Sequence, residues 1–279
     1  MSEEWSIDTA RVLDIGGDGE RVSRLSVAIV GGRVDVVTHA DSPTARIEVA
    51  KVEGMPVKVS WDGSKLKITH GVDSTRILDK VRQAFEGLEH NRVAISISIP
   101  EDAATSVSTV SAAGLLAGMR SGARANTVSG SITIDDIVGP VDVNTVSGEV
   151  ECGNVRGPLT VHSVSGAVTA QHSDVPEVSI STVSGDVALD LVNGAATIKS
   201  NSVSGDVTVR APHGGYDVTA NTASGQVVID GHTIDKFSRQ SGNRLTDGDG
   251  SLRLKANAVS GNVVVLKSRS GAPVDEASA

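Results

Sequence analysis

A Val-Ser-Gly tripeptide, or a near variant, recurs down the second half of the chain, and its spacing constrains the fold more than any other feature. The glycines are Gly130, Gly148, Gly166, Gly185, Gly205, Gly225 and Gly261, separated by 18, 18, 19, 20, 20 and 36 residues. A degenerate copy, Thr109-Val110-Ser111-Ala112, lies 18 residues before Gly130. A repeat this short cannot bury an apolar face alone, so successive repeats must stack.

Alignment on the glycine shows what each position requires. Two residues after it come Ile132, Val150, Val168, Val187, Val207, Val227 and Val263. Seven before it come Ala123, Val141, Leu159, Val178, Ile198, Val218 and Leu254. Two before it come Val128, Val146, Val164, Val183, Val203, Ala223 and Val259, which read as a third inward column. The residues between are mostly Thr, Ser, Asp, Glu and Lys, which gives period-two alternation. Each repeat therefore holds two short strands joined at Ser-Gly. A second turn follows at Gly139-Pro140, Gly157-Pro158, Val175-Pro176, Asn193-Gly194 and Gly214-Gly215. The expected fold is all-β: a single-stranded β-solenoid of about 18–20 residues per rung. About eight rungs span residues 105–267. A sandwich or barrel would not repeat the same side chain at one offset, and a propeller blade needs roughly 40 residues.

Stacking places like on like. Ser129, Ser147, Ser165, Ser184, Ser204, Ser224 and Ser260 are expected to form one structural ladder. Asn126, Asn144, His162, Ser181, Asn201, Asn221 and Asn257 are expected to form another.

Residues 1–104 lack the repeat and read as a strand-rich capping domain with one helix. Strands are expected at Leu25–Val30, Arg33–Thr38, Arg46–Ala50, Val57–Trp61, Lys65–Thr69 and Val93–Ile99. Gly31-Gly32 and Asp62-Gly63 read as hairpin turns. The helix spans Ser74–Leu88, with Ile77, Leu78, Val81, Phe85 and Leu88 on one face. The polar stretch Gly231–Thr246 reads as an excursion or a rung that lost its pattern, and residues 268–279 as a disordered tail.

Composition narrows the function. The net charge of −9 argues against nucleic acid, which needs a basic face. Cys152 is the only cysteine, so no internal disulfide forms. The start, Met1-Ser-Glu-Glu-Trp5, is acidic, and no apolar run long enough for a signal or membrane span appears, so a cytoplasmic location without membrane contact is expected.

The ordered set Val93-Ala-Ile-Ser-Ile-Ser-Ile-Pro100, repeated Thr-Val-Ser-Gly, Asp-Gly-Asp-Gly250 and a closing Ala258-Val-Ser-Gly261 resembles the bacterial adhesin-like β-strand-repeat family, domain of unknown function 4097. The resemblance covers roughly residues 5–267. It implies a β-solenoid behind a strand-rich leader and brings no catalytic residues.

No catalytic, cofactor-binding or metal site is expected. A nucleophilic serine needs a base and an orienting acid, whereas the same serine at every rung points to structure. The histidines at 39, 70, 90, 162, 172, 213 and 232 lack metal-ligand spacing. Asp-Gly-Asp-Gly250 lacks the rest of a calcium loop. Asp186, Asp206 and Glu149 could form a carboxylate row of the kind carbohydrate-active β-helices use. Sugar-stacking aromatics are scarce, however: Trp5, Trp61, Tyr216, Phe85 and Phe237 are all there are. The expected function is a non-enzymatic scaffold or protein-interaction protein, its partner unnamed. Self-association is expected through the uncharged C-terminal rung, Val263 to Leu266. The alternatives are an envelope-linked adhesin-type or stress-associated surface protein, and a carbohydrate-active enzyme.

Overall fold

The structure, a computed structural model, describes residues 3–17, 19–71, 91–212, 214–233 and 244–268. Within them the chain is all-β, forming two sheets of thirteen strands each. The first eight strands are β1 (Glu3–Ile7), β2 (Arg11–Ile15), β3 (Arg24–Ile29), β4 (Gly31–His39), β5 (Ala45–Glu53), β6 (Val57–Trp61), β7 (Lys65–His70) and β8 (Arg92–Pro100). The repeats supply β9 (Ala104–Thr109), β10 (Ala113–Ala117), β11 (Ala123–Thr127), β12 (Ile132–Asp135), β13 (Val141–Thr145), β14 (Val150–Gly153), β15 (Leu159–Ser163) and β16 (Val168–Ser173). They continue as β17 (Glu177–Thr182), β18 (Val187–Leu191), β19 (Ala196–Ser202), β20 (Val207–Pro212), β21 (Tyr216–Thr222) and β22 (Val227–Ile229). The last are β23 (His232–Thr233), β24 (Arg244–Asp247), β25 (Leu252–Ala258) and β26 (Val263–Ser268).

The first sheet runs β1-β6-β7-β3-β9-β11-β13-β15-β17-β19-β25-β21-β24, and the second β2-β5-β8-β4-β10-β12-β14-β16-β18-β20-β26-β22-β23. Each layer therefore takes one strand from each sheet. From β9 to β20 the chain climbs one layer per repeat, with parallel pairing in register: Val141 stands beside Leu159, and Leu159 beside Val178. Inward residues of both sheets merge into one core built almost wholly of Val, Ile, Leu and Ala. Such small β-branched side chains suit two sheets held close by short corners.

Layer order departs from chain order at both ends. The layer β3/β4 lies between β7/β8 and β9/β10, so residues 24–39 are inside the stack. The chain then turns back through β5 and β6, which run antiparallel to their neighbours. At the other end the C-terminal layer β25/β26 is inserted between β19/β20 and β21/β22. This corrects the expectation of a closing rung with an open edge. Val263 pairs with Val207 on one side and Val227 on the other, and the pairing on both sides extends to Val265, so this part of β26 has no free edge for a second chain. The terminal layers are the short antiparallel strands β23 and β24 at one end and β1 and β2 at the other. Antiparallel, charged end strands such as β24, whose Arg244 pairs with Asp217, are poor templates for further pairing.

Two further expectations change. Gly31 and Gly32 do not make a hairpin: they begin β4, and the chain passes from one sheet to the other at Val30. Asp62-Gly63 does join the antiparallel β6 and β7, with the Asp62 carboxylate accepting the Ser64 and Lys65 N–H groups. The helix expected at Ser74–Leu88 and the tail beyond Ser268 lie outside the described residues.

Candidate functional site

The corner that joins the two sheets is where the repeat concentrates its chemistry. Alternation along β13 points Val141, Val143 and Thr145 inward, so the next residue, Val146, points out. The same parity holds in every repeat. It corrects the placing of Val128, Val146, Val164, Val183, Val203 and Val259 in the core: each is 41–54% exposed. From Val128 to Val203 the polar residue just before each valine is the buried one.

Those buried hydroxyls belong to Thr109, Thr127, Thr145, Ser163, Thr182 and Ser202. Each from Thr127 onward donates across the corner to the carbonyl of the glycine three residues on, as Thr145 Oγ1 does to Gly148 at 2.9 Å and Ser163 Oγ to Gly166 at 2.6 Å. A polar group can be buried here because its partner is built into the same turn.

The glycine is needed for space. A Cβ on Gly148 would overlap the carbonyl oxygen of Gly130, one layer below. The same contact repeats from Gly166 to Gly148, Gly185 to Gly166, Gly205 to Gly185, Gly261 to Gly205 and Gly225 to Gly261. The column thus follows layer order rather than chain order.

The ladder serines brace the outside of the corner. Ser147 Oγ donates to the Val128 carbonyl at 3.1 Å, and Ser165 Oγ to the Val146 carbonyl at 3.1 Å. Ser129, Ser184, Ser204, Ser224 and Ser260 bond in the same way, to Val110, Val164, Val183, Val259 and Val203. Beside them the amide ladder runs along the outer face of the first sheet. Asn126 donates to Ser108, Asn144 to Asn126, Asn257 to Asn201 and Asn221 to Asn257, at 3.0–3.1 Å. His162 occupies this column and is exposed.

The remaining candidate residues do not gather into a reactive site. Asp186 and Asp206 accept backbone N–H groups from the next layer, Asp206 at 2.9 Å and Asn262 at 2.7 Å. They act as braces rather than as paired acids. Asp249 accepts from Gly215 and Ser251 and closes a turn. Cys152 is buried, and burial pushes its thiol up to about 12, so it stays protonated and unreactive. Among the described residues no group of three or more His, Cys, Asp and Glu could hold a metal ion, and no helix is long and apolar enough to cross a membrane.

What the corner does create is a groove. The valine ladder forms one wall and the Asn ladder the other, with the rims of the buried Thr and Ser residues between them. It runs across seven strands, from β3 to β19, and encloses about 780 Å³. At ~4.8 Å per strand it is about 29 Å long. Its lining includes no Asp, Glu, Lys or Arg.

A family model, Toastrack DUF4097, matches residues 29–266. The chain belongs to the Toastrack family. No curated protein matches it. Among solved structures, one that matches is a Parabacteroides distasonis protein to which lipid binding has been ascribed. It is 14% identical with a TM-score of 0.53, and the match covers 93% of this chain and 97% of that one. Two proteins ascribed to the adhesins also align. The one from Bacteroides fragilis is 12% identical, with TM-score 0.44 and coverage of 92% and 97%; the one from Parabacteroides merdae is 10% identical, with TM-score 0.40 and coverage of 93% and 95%.

Proposed function

We propose that this Toastrack chain is a non-enzymatic interaction module that makes its contacts through the groove on the first sheet. One observation carries the reading: an unbroken row of valines from Val128 to Val203, each about half exposed, stands on a frame whose outer serines and asparagines are hydrogen-bonded along the stack. Monomeric proteins seldom leave a long, continuous apolar feature in water unless something covers it. The frame fixes the row without needing a ligand, since each corner from Thr127 to Gly205 is held by the buried hydroxyl, the outer serine and the glycine contact. The absence of turnover belongs to the same reading. A ladder hydroxyl bonded to a carbonyl is not activated by a base.

Fluorescence of an anilinonaphthalene dye at low micromolar protein tests the reading. The intact chain should bind dye saturably, and a Val164→Lys/Val183→Lys double variant should lose most of that binding while melting at the same temperature. Equal dye binding by both proteins would refute the groove as the contact surface. Turnover of an ester or polysaccharide would refute the non-enzymatic part.

A further inference from the structure

We infer that the occupant of the groove is a second copy of this chain, in a two-fold dimer in which each copy's valine row lies in the other's groove. The inference rests on the interaction reading above and names its partner.

The geometry argues against three other ways of filling the groove. An extended peptide that adds a strand needs a free sheet edge. Every strand under the groove, from β3 to β19, is hydrogen-bonded on both sides. A sugar chain is held best on a Trp, Tyr or Phe platform, and an ionic headgroup by a carboxylate, ammonium or guanidinium, yet the lining has no Trp, Tyr, Phe, Asp, Glu, Lys or Arg, and its ring side chain is His162. The amides are partly spent on one another, Asn144 on Asn126 and Asn126 on Ser108.

The period of the groove then selects the partner. Valines stand one strand apart, about 4.8 Å, whereas an extended peptide repeats a side chain on one face about every 6.8 Å. A peptide would drift out of step within a few residues. A second stack of the same strands has the same period, so each of its valines meets an equivalent gap along the full length. Interdigitated side chains with a shared spacing are how stacked strands make dry contacts.

Size and charge agree. A contact about 29 Å long and roughly 15 Å wide covers about 450 Å² per copy, about 900 Å² in all, the size of a weak and reversible interface. Each copy carries a net charge of −9, and this face lets two such chains meet with no acidic side chain in the groove lining. Seating each row in the opposite groove uses both surfaces, so assembly closes at two.

Sedimentation of the full chain over about 1–500 µM tests this. The account requires a monomer of 28.5 kDa at the low end that shifts toward twice that mass as concentration rises. Val164→Lys/Val183→Lys should stay monomeric throughout with its melting unchanged. Should that variant fold poorly, Val146→Lys, at a neighbouring exposed valine, provides the same comparison. A wild-type monomer at every concentration, equal dimerisation by the lysine variants, or mass that keeps growing beyond two copies would each overturn the inference. A monomer that still binds the dye in a groove-dependent way overturns the dimer and leaves the interaction reading standing; loss of both results overturns both. Stoichiometric binding of cis-parinaric acid by a persistent monomer would give the groove to an acyl chain instead.

Discussion

Thr182 and Gly185 are locked together in both directions: the Thr182 hydroxyl donates to the Gly185 carbonyl at 3.0 Å and accepts the Gly185 N–H at 3.0 Å. The hydroxyl is buried, so nothing replaces it when it is removed. Thr182→Val should cost about 1–3 kcal/mol, the penalty for stranding a buried donor and acceptor. Thr182→Ser, which keeps the oxygen, should cost less. Urea denaturation of the three proteins checks the order, and equal stability for Val and Ser would contradict it.

The adjacent residue should behave in the opposite sense. Val183 is 48% exposed, while Ile180 is wholly buried. Val183→Asp is expected to change stability by less than about 1 kcal/mol, and Ile180→Asp to abolish cooperative folding, because a lone charge in the core has no partner. Thermal melts showing equal loss for both would reverse the inside and outside of the corner.

The fold was largely legible in the sequence because a stack repeats its demands. Gly130, Gly148 and Gly166 return every 18 residues because each layer needs the same space above the glycine below. The amide ladder was readable for the same reason. The corner valines were misread on hydrophobicity alone. Alternation from Val178 through Ile180 to Thr182 already placed Thr182 inside and Val183 outside, but a buried hydroxyl makes sense only once its partner in the turn is seen. Layer order was not legible. Nothing in Leu252–Ala258 distinguishes an inserted layer from a terminal one, since the side chains that fit beside β19 also fit beside β21.

That insertion makes the C-terminal layer structural. Deleting residues 252–279 should open the stack between β19/β20 and β21/β22, leaving β21 and β22 without their parallel partners. Hydrogen exchange should then show β21 and β22 unprotected while β11 to β18 keep their protection. Deleting only 269–279 should leave both regions as they are. Full protection of β21 after the longer deletion would contradict the layer order.

His70 should make stability depend on pH. It is buried in β7, and neither ring nitrogen reaches hydrogen-bond geometry. Burial lowers its pKa below the ordinary 6.5, against a weaker upward pull from the Glu53 and Met55 backbone. The folded state therefore binds this proton less readily than the unfolded chain does. The contribution is intact above about pH 6.5 and is lost as pH falls below that value, with a slope of at most about 1.4 kcal/mol per pH unit. Denaturation of wild type and His70→Leu at several pH values isolates the effect: the difference between them should change below about pH 6.5 and stay flat above it. A difference that is constant across the range would show that His70 is not buried neutral.

The central claim is that the valine row stands in water on the single chain and is covered when a partner arrives. Thiol labelling of a Val183→Cys variant measures both halves, because Cys152, held at about 12 and buried, will not compete. The account predicts labelling near the free-thiol rate at submicromolar protein and progressive protection at several hundred micromolar. A thiol protected at every concentration would place Val183 in the core, and one that labels equally fast at every concentration would leave the row uncovered; either result would contradict the account.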